Sequence, residues 1–119
     1  MAVDEKLAER VRSRLGTREG LVEKRMFGGL AFLLDGNMCV GVHGKEFIVR
    51  LDPGETLSAL ARPHTRIFDL SGGRPMHGWI LVGPAGLKTD AMLARWVHVG
   101  VAYASSLPKK ERSTRSTRN

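Results

Sequence analysis

Four histidines, a single cysteine and two glycine pairs are the places where this 119-residue chain could do chemistry. Metal-binding histidines come in pairs at helical or short-loop spacing, so that two imidazoles converge on one ion. His43, His64, His77 and His98 contain no pair at helical ligand spacing, which argues against a zinc or catalytic metal centre. Cys39 sits among alternating apolar residues in "NMCVGV", the setting of a small buried side chain rather than a nucleophile, and alone it forms no intramolecular disulfide. Serines occur after Pro53, in "SGGRPMHG" and near the C-terminus, none of them in the strained elbow that exposes a nucleophilic hydroxyl. Asp35, Asp52 and Asp69 stand at turns or strand ends, where they serve as turn formers. A phosphate cradle needs glycines between a strand and a helix N-terminus; Gly28-Gly29 lies between two strand segments and Gly72-Gly73-Arg74 precedes a strand. No catalytic, metal or cofactor-binding residue is expected, and the chain reads as non-enzymatic.

The elements around these residues follow from periodicity. Leu7, Ala8, Val11 and Leu15 recur at steps of three and four, which places them on one face of a helix from Asp4 to Leu15, with Asp4 as N-cap and Gly16 as stop. Lys24 to Leu34 reads as strand with a break at Gly28-Gly29, and Asn37 to Val42 and Glu46 to Leu51 as two more. Asp35-Gly36 between apolar runs is a strong hairpin signal, because both central residues of the favoured tight turn need positive φ. In the third strand Phe47, Val49 and Leu51 alternate with Ile48 and Arg50, predicting one buried and one partly wet face. A second helix is predicted over Gly54 to Ala61, with Leu57, Leu60 and Ala61 sharing a face. A weak strand at Thr65 to Leu70, another at Trp79 to Val82 and a helix capped by Thr89 or Asp90 and running to about Ser106 complete the chain. The order α-β-β-β-α-β-β-α suits an α+β two-layer sandwich, helices covering one face of an antiparallel sheet.

Composition sets the wider frame. One domain spans residues 1–107, followed by a polar tail at 108–119 that is expected to be disordered. The five tail cations Lys109, Lys110, Arg112, Arg115 and Arg118 against the single Glu111 account for +4 of the net +7, leaving +3 for the body. The longest apolar run, Leu30 to Leu34, falls far short of the roughly 20 residues of a membrane span. The N-terminus MAVDEKLAER has no apolar signal region, so a cytoplasmic protein is expected.

Two stretches carry a resemblance. "KRMFGGLAFLLDGNMCVGVHGKEFIVRL" (Lys24 to Leu51) resembles the TfoX N-terminal domain family in its basic-Met-Phe-Gly-Gly entry and following hairpin, and "RPMHGWILVG" (Arg74 to Gly83) resembles the family's second marker. The likeness runs from about Glu5 to Leu107. It implies a secretion-chaperone-like α+β fold. Full-length members regulate natural competence together with the cAMP receptor protein and carry a second, C-terminal domain, before which this chain stops.

Three functional expectations follow. The first is a protein-interaction module, with a protein partner or a second copy of the chain meeting a surface of Arg25, Met26, Phe27, Gly28, Gly29 and Trp79. Met26 and Phe27 are expected to anchor the first hairpin to a helix, with the glycine pair forming a bulge or sharp bend. The second is weak nucleic-acid binding by the five tail cations, aided by Arg10, Arg12, Arg14, Arg18, Lys24 and Arg25. The third is a small-ligand pocket near Ser71 to Trp79.

Overall fold

The computed structural model describes residues 3–26, 28–69 and 75–109. Helix α1 (Glu5–Leu15) begins where the Asp4 carboxylate accepts a hydrogen bond from the Leu7 amide at 3.1 Å and ends at Gly16. Its buried residues are the predicted stripe Leu7, Ala8, Val11 and Leu15.

Six antiparallel strands form one sheet: β1 (Leu21–Met26), β2 (Gly29–Leu34), β3 (Asn37–His43), β4 (Glu46–Arg50), β5 (Thr65–Ile67) and β6 (Trp79–Val82), in the spatial order β1-β2-β3-β4-β6-β5. The break read at Gly28-Gly29 is a full reversal: Met26 pairs with Gly29 and Gly28 takes φ +75°, so β1 and β2 are separate strands. Asp35 and Gly36 take φ 52° and 85°, the paired positive angles that their dipeptide predicts.

Helices α1 and α3 (Asp90–Ser106) lie on one face of the sheet, over a core that includes Phe32, Val40, Val42, Phe47, Val49 and Ile80. The Thr89 hydroxyl caps α3 by accepting from the Met92 amide at 3.1 Å. The opposite face, expected to be partly wet, is more closed than that: Glu46 and Arg50 are half-exposed on it, but Ile48 is buried. Ala31, Met38, Ile48, Phe68 and Leu81 form a second buried cluster there, with Leu33, Met76 and Trp79 packed against it. That face is open toward β1, and at β5 Arg66 is exposed on it.

Helix α2 (Thr56–Leu60), preceded by a 3₁₀ turn at Pro53–Glu55, corrects another expectation. Thr56 and Ala59 face inward, while Leu57 is 77% exposed. The cause is the Thr56 hydroxyl, which donates to the Pro53 carbonyl at 2.7 Å and accepts from the Gly78 amide at 2.8 Å. Holding Thr56 inward leaves its chain neighbour Leu57 turned toward solvent on so short a helix.

Candidate functional site

The surface expected from the sequence is divided by the fold. Arg25, Met26, Gly28 and Gly29 lie at one end of β1 and β2, whereas Trp79 opens β6 beside Arg50, at the other end of the sheet. Four strand spacings separate β1 from β6 across the sheet, roughly 19 Å. Met26 is 37% exposed and anchors no helix, because β1 is a margin of the sheet and Met26 lies on the face away from α1 and α3. Phe27 falls outside the described residues, as do residues 70–74 of the Gly-rich loop and Lys110, Arg112, Arg115 and Arg118. Lys109 is described: its ammonium stands 4.0 Å from Asp35. The chain reaches that point because the Asn37 side-chain amide donates to the Pro108 carbonyl at 2.9 Å.

The body cations are unequal. Arg12 makes two hydrogen bonds to the Glu23 carboxylate, both at 2.8 Å, and another to Glu9 at 2.7 Å. Arg10 donates to the Leu87 carbonyl at 2.8 Å and stands 3.6 Å from Asp90, and Arg18 donates to the Leu15 carbonyl. The Arg12 contact holds the Glu23 carboxyl below its ordinary value, and the same hydrogen bonds raise the Arg12 guanidinium. Arg14, Lys24 and Arg25 have no carboxylate within ion-pair distance among the described residues.

A groove of about 470 Å³ opens where α2 faces α3. Its apolar surface comes from Leu51, Ala59, Trp96, Val99, Ala102 and Tyr103, and its rim from Asp52, Glu55, Ser58, Arg62 and His98. The Arg62 guanidinium lies 4.7 Å from the centre of the Trp96 ring, a cation–π contact, and has no carboxylate partner among the described residues. Close by, Arg50 stands 5.1 Å from the Trp79 ring and 5.5 Å from Tyr103, joining the start of β6 to α3. The spacing of Met92, Trp96, Val99 and Tyr103 predicts a single apolar stripe on α3. Trp96 belongs to the buried core, Tyr103 is half-buried, and both line this groove. Arg62 is 34 positions from Trp96, so no local pattern signals their contact.

Cys39 is buried, and its thiol donates to the Phe32 carbonyl at 3.3 Å. Burial pushes its pKa up to about 11, so the thiolate is scarce at neutral pH. The described histidine, cysteine, aspartate and glutamate side chains form no cluster able to hold a metal ion. Among the described residues no helix is long and apolar enough to cross a membrane. Ser58 and His98 both line the groove, and no hydrogen bond joins them among the described residues. What the groove offers is apolar area with opposite charges at its rim.

Neither a curated protein nor a solved structure matches the chain. A family model does: that of the TfoX N-terminal domain matches residues 13–104, from within α1 to the last turns of α3. The match takes in all six strands, the groove and both motif segments, and the chain belongs to the TfoX N-terminal domain family.

Proposed function

We propose that this chain is a non-catalytic, cytoplasmic interaction module that binds a protein of transcription control. The α2–α3 groove is its docking surface. The observation that carries this reading is the groove's pairing of an apolar floor with unpartnered charges. Arg62, just past the C-terminal end of α2, lies over Trp96 without a carboxylate partner, and Glu55 at the N-terminal end of α2 has no cation partner among the described residues. A short amphipathic segment fits that chemistry: its apolar side chains fill the groove, an acidic residue meets Arg62 and a basic residue meets Glu55. Recognition of this kind uses helix-in-groove packing, in which a few buried anchors carry most of the affinity. Membership of a family with competence regulators supports the choice of partner class.

The test is site-specific photo-crosslinking in cells, with the crosslinking residue at Ser58 or Ala102 on the groove and at Arg14 as a remote control. The expected result is one protein product from both groove positions, with none from Arg14, and loss of that product in an Arg62→Glu background. Crosslinking to the same protein from Arg14, or insensitivity to Arg62→Glu, refutes the groove as the docking surface.

A further inference from the structure

Strand β1 is a margin of the sheet, and its residues are arranged to match a second copy of themselves. The Gly20 carbonyl accepts from the Asp35 amide of the neighbouring turn at 2.9 Å. Strand alternation therefore turns the backbone groups of Val22, Lys24 and Met26 toward β2 and those of Glu23 and Arg25 away from the sheet. Side chains alternate too: Glu23 lies on the helix-covered face, in contact with Arg12, and so does Arg25, while Val22, Lys24 and Met26 lie on the open face. Val22 is 53% exposed and Met26 37%, and no other large hydrophobic of the described strands is so exposed.

We propose that β1 pairs antiparallel with β1 of a second copy about a two-fold axis at Lys24, extending the sheet across both molecules. A two-fold axis perpendicular to a sheet brings together only residues of the same face. With the axis at Lys24, Glu23 stands opposite Arg25 of the second copy and Val22 opposite Met26, and symmetry repeats both pairs. The outward amides and carbonyls of Glu23 and Arg25 exchange hydrogen bonds with those of the second copy. Neighbouring registers lack this match. An axis at Glu23 sets two carboxylates face to face and Val22 against Lys24, and an axis at Arg25 sets two guanidinium groups face to face. The one unfavourable contact of the chosen register, Lys24 against Lys24, falls on the open face, where long side chains carry their ammonium groups into water. An edge bearing lysine is held back from strong pairing. A six-residue strand pair also buries less than the ~1,200 Å² at which stable interfaces begin, so the dimer is weak, with Kd on the order of 100 μM. This contact does not involve the α2–α3 groove.

The experiment is a dilution series of the full chain up to ~1 mM, followed by sedimentation and by backbone amide NMR. The expected result is a mass rising from 13.1 kDa toward twice that value, with the largest concentration-dependent shifts at Glu23, Lys24 and Arg25. Lys24→Thr removes the like-charge contact and tightens the dimer by roughly tenfold, and Arg25→Glu, which sets carboxylates opposite one another across the pair, weakens it by a similar factor. The double variant Glu23→Arg/Arg25→Glu restores the opposite-charge pairs and recovers association relative to Arg25→Glu. Circular dichroism confirms that each variant is folded. A chain that stays at 13.1 kDa at ~1 mM overturns the proposal, as do shifts confined to the groove or a Lys24→Thr variant that binds no more tightly than the parent.

Discussion

Gly100, in the middle of α3, tests how closely the helix lies on the sheet. A Cβ at this position would meet the carbonyl oxygen of Cys39 and the side chain of Val40 well inside contact distance. The carbonyl is backbone of a central strand and cannot rotate aside. It also sits at an irregularity: Phe32 pairs with Val40 and Leu33 with Met38, which leaves Cys39 as an extra residue bulging from β3 beneath the helix. Two opposing effects decide the outcome of Gly100→Ala. Helix propensity alone favours alanine by about 1 kcal/mol. Against that, forcing a methyl group into a filled contact costs about 1–3 kcal/mol, and the rigid partner here places the cost at the upper end. The net effect is a destabilisation of about 1–2 kcal/mol, read by urea unfolding as a lower midpoint at unchanged slope. For a domain of this size it lowers the Tm by about 4–12 °C. Ala102→Gly, on the same helix at an exposed position, gives the propensity effect by itself. If Gly100→Ala raises the midpoint, helix propensity is the only term acting and α3 is not seated on the Cys39 bulge.

Other consequences can be measured as directly. Thr56→Val leaves the Gly78 amide without its acceptor in a buried site and is expected to cost about 1–3 kcal/mol; an unchanged unfolding midpoint would show that the hydroxyl does not set the orientation of α2. Cys39, buried and with its thiol pKa at about 11, should resist a disulfide-exchange reagent in the native protein and react only through opening of the fold. Rapid labelling without denaturant refutes that assignment. The depressed Glu23 pKa means that the unfolded chain binds a proton at a higher pH than the folded one. Its stabilising contribution is therefore complete at neutral pH and is lost as the pH falls through the acid range below about 4. Glu23→Gln should flatten this part of the stability–pH curve, and an unaltered slope would place the acid sensitivity elsewhere.

Local signals were legible because they are chemical. Asp4, Gly16, Asp35-Gly36 and Thr89 each meet a backbone requirement that few residue types satisfy, and each stands where its type predicts. The stripe of α1 was equally readable, since a helix on one face of a sheet needs one apolar side. Leu57 shows where this reasoning stops. On a five-residue helix a single buried hydroxyl outweighs the pattern, and the amide that Thr56 caps belongs to Gly78, 22 positions on. The candidate site was harder to read for the same reason. Arg62 meets Trp96, and Arg50 meets Trp79 and Tyr103, across strands and layers rather than along one element. Met26 and Trp79, which share a motif-like character in the sequence, end at opposite ends of the sheet because β4 pairs with β6 rather than β5 and four strand spacings lie between β1 and β6.

The basic excess takes on a different meaning once its partners are known. Cations release counterions on binding a polyanion only if they were not already neutralised. Arg12 is held by Glu9 and Glu23, Arg66 by Glu46, and Arg10 by carbonyls at the start of α3 together with Asp90. Arg12 and Arg10 fasten α1 to the margin of the sheet and to α3, and Arg66 ties β5 to β4, so replacing Arg12 acts mainly on the fold. Arg50 and Arg62 are of another kind: each lies against aromatic rings and neither has a carboxylate partner among the described residues. A guanidinium stacked by its face keeps its planar edge of N–H donors for other acceptors, the geometry that suits a single carboxylate. The same excess of arginine thus divides: Arg10, Arg12 and Arg66 meet acids and hold elements together, Arg50 joins β6 to α3 through two rings, and Arg62, over Trp96, furnishes the groove.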